Sequence, residues 1–111
     1  MFATASNTKK SLFESVNLPE ELESALIDRL NESDSRFLKD LKINVGNVLK
    51  SQNLSEKEAA LLALSVAINE KSTPLREALE EVAAKFGATE PEILEVAACV
   101  SVMNANNVFY R

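Results

Sequence analysis

Residues 55–69, SEKEAALLALSVAIN, decide the fold class of this chain. Ser55 and Glu58 fit a capping box, in which the serine hydroxyl and the glutamate carboxylate each accept a hydrogen bond from a backbone N–H at a helix start. The residues that follow, 59–69, are apolar on almost every side. This pattern is typical of a helix in the centre of a domain.

A second stretch, residues 89–104 with the sequence TEPEILEVAACVSVMN, repeats these signals. Thr89 and Glu92 fit another capping box, and the apolar residues after them predict a helix that runs toward Asn104 and nearly to the end of the sequence. Both stretches are rich in small residues, which let helix axes approach closely. We therefore expect the two helices to pack against each other or against copies of themselves.

A helix between these stretches is predicted to begin at Thr73-Pro74 and to end at Gly87, because proline suits the first helical position and glycine the left-handed position after a helix. Its charged face has two interpretations, a metal site or a solvated surface supported by pairs four residues apart, and the second is favoured. The face comprises Arg76, Glu77, Glu80, Glu81 and Lys85.

Two further helices are predicted nearer the N-terminus. Pro19 predicts the start of a helix over residues 19–32, with an apolar stripe of leucines at spacings of four. Another helix is expected to start near Ser35, with a neighbouring helix crossing closely at Gly46. Residues 1–10 are polar and expected to be loose. The sequence thus predicts an all-α fold of about five helices.

The composition excludes several kinds of chemistry. The chain has 111 residues, with 12 Lys and Arg against 17 Asp and Glu, no His and one Cys. Without histidine there is no imidazole base and no histidine-containing metal site, and one cysteine cannot form an intrachain disulfide. The net charge of −5 argues against a nucleic-acid partner. With no signal-peptide core and no apolar run of membrane length, we expect a cytoplasmic protein without a membrane partner.

The single cysteine, Cys99, has two interpretations. It could be a lone peroxidatic cysteine that an outside thiol resolves. Its place inside the apolar stretch 96–100, VAACV, favours a buried small hydrophobic side chain, and we predict burial.

The order of these elements resembles the AhpD-like alkylhydroperoxidase and carboxymuconolactone decarboxylase superfamily. The segments that carry the resemblance are residues 87–98, GATEPEILEVAA, and the closing residues 103–111, MNANNVFYR. Residues 37–45, FLKDLKINV, are similar to the start of the same helical repeat. The resemblance covers about residues 34–111, where we predict an AhpD-like domain, preceded over residues 1–33 by a flexible N-terminus and helical extension.

The resemblance implies an all-helical unit that assembles into trimers or hexamers and, in active members, reduces peroxides. Catalysis in the family uses a CxxC pair near a helix start, a nearby His and a Glu that relays protons. That pair should fall within residues 69–79, NEKSTPLREAL, which contain neither Cys nor His. Glu58 lies within one residue of the relay position but is explained more simply by its capping box. The chain therefore resembles the non-catalytic first repeat of the family's two-repeat members.

A polar cluster near the end of the sequence is the remaining candidate site, and it comprises Asn104, Asn106, Asn107, Tyr110 and Arg111. Two interpretations have nearly equal weight. The cluster lines a pocket or a subunit contact, or its asparagines end the helix through side-chain-to-backbone hydrogen bonds. No catalytic residue, cofactor or metal ligand is assigned.

Two functional hypotheses stay open. In the first, the chain belongs to a hydroperoxide-reducing, antioxidant system in which a cysteine-bearing second repeat is supplied by further sequence or another chain. In the second, it is a catalytically silent helical module for homo-oligomerisation or partner binding. Carboxymuconolactone-type decarboxylation is a weaker third, because its acid–base residues are not in evidence. Whether the chain is itself an enzyme is left open by the sequence.

Overall fold

The computed structural model describes residues 2–110, and the side chains of residues 8–107. The described residues form six α-helices and no β-strand, which confirms the all-α prediction. The helices are α1 (Phe2–Ser15), α2 (Ala25–Glu32), α3 (Arg36–Val48), α4 (Glu56–Asn69), α5 (Thr73–Lys85) and α6 (Glu90–Tyr110). They form two compact units that divide between Lys50 and Ser51. The domain boundary predicted between residues 33 and 34 marks where the family resemblance begins. It stays a prediction.

Helix α1 covers residues that were expected to be loose, and that prediction is wrong. The Lys9 ammonium donates a hydrogen bond to the Leu22 carbonyl oxygen at 3.1 Å and forms an ion pair with Asp28 Oδ1 at 2.5 Å. It also lies 5.1 Å from the centroid of the Phe13 ring, within the range of a cation–π contact. A short polar helix is marginal by itself in water, so these tertiary contacts stabilise α1.

The first unit has its own apolar core. Leu12 and Phe13 of α1 are buried with Leu38 of α3, and Ile27 and Leu30 of α2 pack against them. Leu38 is 0% exposed, and burial of a leucine side chain stabilises a fold by about 1.5–3 kcal/mol. This core holds α1, α2 and α3 together.

Helix α2 is shorter than predicted. It begins at Ala25, after Ser24 in an extended conformation, and not at Pro19. The Pro19 carbonyl instead accepts a turn hydrogen bond from the Leu22 N–H at 3.1 Å. Leu26 is 66% exposed, so the expected stripe of leucines at spacings of four does not form one buried face.

Of the predictions made for the two glycines, one is wrong and one is confirmed. Helix α3 begins after its N-cap Ser35 as predicted, but the close crossing expected at Gly46 is wrong. A Cβ atom built on Gly46 would meet nothing within 4 Å, so no neighbouring helix requires a glycine there. Gly87 has a φ of +99° after the end of α5, which confirms its predicted left-handed conformation.

The second unit packs α5 and α6 against α4. Its buried core combines Leu64 and Ala67 of α4 with Leu79 of α5 and Ile93 of α6. The prediction that α4 and α6 pack against each other is therefore confirmed. Within the described part of the chain, no helix combines the length and the apolarity needed to cross a membrane.

Both predicted capping boxes are formed. The Glu58 N–H donates to Ser55 Oγ at 3.1 Å, and the Ser55 N–H donates to Glu58 Oε1 at 2.9 Å. The Glu92 N–H donates to Thr89 Oγ1 at 3.3 Å, and the Thr89 N–H donates to Glu92 Oε1 at 2.8 Å. The boxes fix where α4 and α6 begin, and so determine which side chains of the two helices meet.

Candidate functional site

A groove runs between α4 and α6 on the surface of the second unit, with a volume of about 510 Å³. We call it the α4–α6 groove. Most of its lining is aliphatic, as in small-molecule sites and in grooves that receive helices. The lining residues are Leu54, Glu58, Leu61, Leu62, Ser65, Val96, Cys99, Val100 and Met103.

The groove exists because α4 and α6 are apolar on more than one side. Ile93 of α6 is buried in the core, while Cys99 and Met103 lie on the side that faces the groove. Leu62 of α4 is 56% exposed and Met103 is 63% exposed. Packing one face of each helix thus leaves a second apolar face in contact with solvent.

Helix α6 carries another apolar stripe on the side away from the groove, formed by Leu94, Ala98 and Val102. We call it the outer α6 stripe. Leu94 and Val102 are each 59% exposed. Successive helical residues turn by about 100°, so this stripe lies nearly opposite the groove wall formed by Val96 and Met103.

Three polar side chains line the groove. The Glu58 carboxylate is part of the α4 capping box, and Ser65 Oγ donates to the Leu62 carbonyl oxygen at 2.6 Å within α4. The third is Cys99, which is a free and exposed cysteine. The predicted burial of Cys99 is wrong, because the rest of the chain covers the Ile93 side of α6 and leaves the Cys99 side open.

An ion pair joins α4 to α6 beside the groove. Lys57 Nζ lies 3.0 Å from Glu92 Oε2. The pKa of the Glu92 carboxyl is held below its ordinary value, chiefly by the hydrogen bond from the Thr89 backbone N–H and then by the hydrogen bond from Lys57. The Glu92 carboxylate therefore stays charged in its two structural contacts and has no spare role as a proton donor near neutral pH.

The predicted C-terminal cluster lies partly within the described residues. Asn104, Asn106 and Asn107 are exposed on α6, which continues through them to Tyr110, so they do not end the helix. Asn107 follows Met103 by one helical turn on the groove side. The side chain of Tyr110 and all of Arg111 lie outside the described residues. A role for this cluster in a pocket or an interface stays a prediction.

Residues 69–79, where the resemblance places a redox pair, form the junction of α4 and α5. Lys71 has a φ of +60° in the turn, and Ser72 is the N-cap of α5. On α5, Arg76 forms an ion pair with Glu80 one turn later, as expected of a solvated charged face. Among the described residues, no group of Cys, Asp and Glu is arranged to hold a metal ion.

The groove itself was not predicted from the sequence. Its signal was present in 59–69 and 96–107, two helical segments without one charged residue. Such segments indicate that more than one helix face is apolar. They do not indicate which face the rest of the chain covers.

The fold and groove define an all-helical class of protein in which two capped helices form an apolar surface. Comparison with curated proteins identifies a more specific relationship than the fold does. The alkyl hydroperoxide reductase AhpD of Solibacter usitatus (strain Ellin6076) is 38% identical over 85 residues, which cover 77% of this chain and 48% of that protein. The AhpD of Nocardia farcinica (strain IFM 10152) is 37% identical over 86 residues, with 77% and 47% covered.

A third such relative, the alkyl hydroperoxide reductase AhpD of Mycobacteroides abscessus, is 34% identical over 87 residues, with 77% of this chain and 48% of that protein covered. The chain is related to the AhpD-like alkylhydroperoxidase family, which confirms the resemblance drawn from the sequence. It spans about half the length of the curated relatives that it matches. No protein-family model and no solved structure matches it.

Proposed function

We propose that this chain is the helical partner unit of an AhpD-type hydroperoxide-reducing system, in which a second, cysteine-bearing repeat supplies the redox residues. The observation that carries the proposal is the relation to proteins named alkyl hydroperoxide reductase over about half their length. The single cysteine of the chain supports it. A cytoplasmic location and a role in antioxidant defence belong to the same proposal.

The two-cysteine cycle that the family resemblance implies explains why we propose a second unit. A thiolate attacks one peroxide oxygen, the O–O bond breaks, and the alcohol leaves after taking a proton. The resulting sulfenic acid condenses with a second thiol, with loss of water, to give a disulfide that a dithiol reductant then reduces. Cys99 can supply only one of these two protein sulfur atoms, so this two-cysteine cycle needs its second protein thiol from another unit.

The α4–α6 groove supports an assembly role for the chain. Three large apolar side chains are exposed here: Leu62 and Met103 in the groove, and Val66 one helical turn after Leu62, at 56%, 63% and 59%. Full burial of such a side chain contributes about 1.5–3 kcal/mol, so covering these exposed parts contributes on the order of 4 kcal/mol. Cores of protein interfaces are also depleted of charge, and residues 59–69 of α4 and 96–107 of α6 contain no charged residue.

We therefore propose a homo-oligomer, trimeric or hexameric by the family resemblance, or a mixed assembly with the cysteine-bearing repeat. The exposed Asn104, Asn106 and Asn107 extend α6 beyond the groove, and we place them, with Tyr110 and Arg111, at the border of this interface. Amide side chains suit the polar rim that surrounds an apolar interface core.

The alternative is a catalytically silent module that only assembles or binds a partner. The same exposed groove favours it, since the groove needs no redox chemistry to act as a contact surface. The two candidates differ in what the gene encodes after codon 111 and in what the full gene product does.

The proposal is tested by determining the gene sequence beyond codon 111. The full gene product is then assayed for consumption of an organic hydroperoxide, with dithiothreitol as the reductant. The proposal expects a continuing repeat with a CxxC pair and a His, and turnover that is lost when either cysteine of the pair is changed to serine. A stop directly after codon 111, together with no gain in turnover when the chain is mixed with a separately produced repeat that carries a CxxC pair, would overturn the redox proposal and support the silent module.

A further inference from the structure

We propose that α1 is a replaceable cover over a helix-docking surface of the first unit, and that a helix of a partner protein with the same side-chain pattern can take its place. The α1 docking surface is formed by Leu22, Asp28 and Asn31 together with Leu38 of α3. All four residues belong to the first unit. The inference is therefore independent of the α4–α6 groove and goes beyond the proposed function.

The α1 docking surface holds one lysine of α1 by polar contacts. The Lys9 ammonium donates to the Leu22 carbonyl oxygen at 3.1 Å and pairs with Asp28 Oδ1 at 2.5 Å. The Lys9 backbone N–H donates to Asn31 Oδ1 at 3.0 Å, which ties the helix backbone to the same place. The Lys9 side chain is 12% exposed, so these contacts are largely shielded from solvent. Hydrogen bonds with a charged partner are stronger than those between neutral groups, so the surface is selective for a cation here.

An apolar part of the surface adjoins this cation site. Leu12 and Phe13 are 6% and 5% exposed and are buried together with Leu38. They follow Lys9 by three and four residues, so one face of the helix carries the cation and both apolar side chains. Apolar anchors at such spacings are the means by which amphipathic helices bind grooves. The surface thus recognises a helix with a lysine followed three and four residues later by leucine and phenylalanine.

Helix α1 has few features besides this pattern to hold it in place. Thr8, one turn before Leu12, is 6% exposed and puts a polar side chain on the buried face of α1. Lys10 and Glu14 are exposed on its other face. A polar helix of this length is marginal by itself in water. Residues 16–24 between α1 and α2 contain no helix, so α1 can leave the surface without unwinding α2.

A partner helix has to compete with a tethered one. A short tether gives α1 an effective concentration on the order of millimolar at its own docking surface. A second copy of the chain offers the same α1 without that tether, so exchange of α1 between copies gains no contact. A partner helix that keeps the three anchors and has better helix formers elsewhere loses less conformational entropy on binding. The occupant that can replace α1 is therefore such a partner helix.

The test adds a fluorescein-labelled peptide of residues 2–18 to the full chain and measures the fluorescence anisotropy of the peptide. Lys9→Met is made separately in the chain and in the peptide. In the chain it weakens the tethered α1 and should tighten peptide binding by at least about tenfold, because only the competitor loses a hydrogen bond with a charged partner. In the peptide it should abolish binding. Lys10→Met, at an exposed lysine, is the matched control in both molecules and should change neither result.

Opposite effects of one substitution in the two molecules are expected only if the peptide replaces α1. Equal binding of the unmodified and Lys9→Met peptides would overturn the proposal, as would a Lys9→Met chain that binds the peptide no better than the unmodified chain. A dimer of the unmodified chain that excess peptide dissociates would make α1 of a second copy the occupant, and would overturn the assignment to a partner protein.

Hydrogen exchange of the unmodified chain is a second test that needs no variant. Amides of α1 should exchange faster than amides of α3 around Leu38, because α1 leaves the surface while α3 stays folded. Equal rates in the two helices would mean that the first unit opens only as a whole, and would overturn the proposed replacement of α1.

Discussion

Lys57 on α4 and Glu92 on α6 form an ion pair with 3.0 Å between Nζ and Oε2. The other carboxylate oxygen of Glu92 accepts the hydrogen bond of the Thr89 backbone N–H at 2.8 Å, which caps α6. One side chain therefore both begins α6 and ties it to α4. The two helices that form the groove are joined at this point.

Stability should fall in acid through Glu92. Its folded-state pKa is lowered from the ordinary value of 4.5, so the charged carboxylate stabilises the fold above pH 4.5, and this contribution is lost as the pH falls through the lowered pKa. In Glu92→Gln that part of the pH dependence disappears. The check is the urea midpoint at pH 7 and at several values below pH 4.5. Glu95→Gln, the control, removes an equal charge from the exposed side of α6 and should show the same change of urea midpoint with pH as the unmodified chain. If Glu92→Gln shows that same change as well, Glu92 does not cause the loss of stability in acid.

Lys9→Met is expected to loosen α1. The Lys9 side chain is 12% exposed and pairs with Asp28, and its hydrogen bond is the main cause of the lowered pKa of Asp28. Without the ammonium, the Asp28 pKa should rise toward its ordinary value, and proteolytic cleavage within α1 should become faster. Lys10→Met changes the neighbouring exposed lysine and serves as the control. Equal cleavage rates in the two variants would show that the Lys9 contacts do not hold α1.

Leu64 and Leu62 lie on the same helix but should respond differently to truncation. Leu64 is 0% exposed in the core of the second unit, and Leu62 is 56% exposed. Leu64→Ala should lower the free energy of unfolding by about 2–5 kcal/mol. Leu62→Ala leaves no buried cavity, so it should lower the free energy of unfolding by much less. Chemical denaturation at low protein concentration measures both. A larger loss for Leu62→Ala would mean that the groove side of α4 is buried within one chain.

Cys99 should react rapidly with a thiol reagent in the folded monomer, because it is exposed in the groove. The reference is the rate in concentrated guanidinium chloride, where every thiol is accessible. When a second copy fills the groove, the rate should fall as protein concentration rises. Slow labelling even in the most dilute sample would restore the prediction of burial made from the sequence.

The sequence predicted the features that depend on local chemistry. The capping boxes at Ser55 and Thr89 and the left-handed Gly87 involve groups only a few residues apart, so their pattern is sufficient to locate the starts of α4 and α6 and the end of α5. The relation to the AhpD-like family was also predicted, from the sequence of residues near the C-terminus.

Apart from the packing of α4 against α6, the features that depend on distant contacts were not predicted. Helix α1 requires Lys9 to reach Asp28 and Leu22, which no local pattern reports. Cys99 was expected in the core because α6 is apolar on several sides, and periodicity does not say which side a neighbour covers. The α4–α6 groove was missed for the same reason.

Steady-state consumption of an organic hydroperoxide tests most directly whether this chain needs a second thiol-bearing unit. With tert-butyl hydroperoxide and dithiothreitol, we expect the chain alone to leave the background rate unchanged, as Cys99→Ser does, whether the protein is dilute or assembled. Cys99 lies in the middle of α6, away from the helix N-terminus that would favour its thiolate. Many equivalents of hydroperoxide consumed per chain, with the activity lost in Cys99→Ser, would contradict the proposed dependence on a cysteine-bearing repeat.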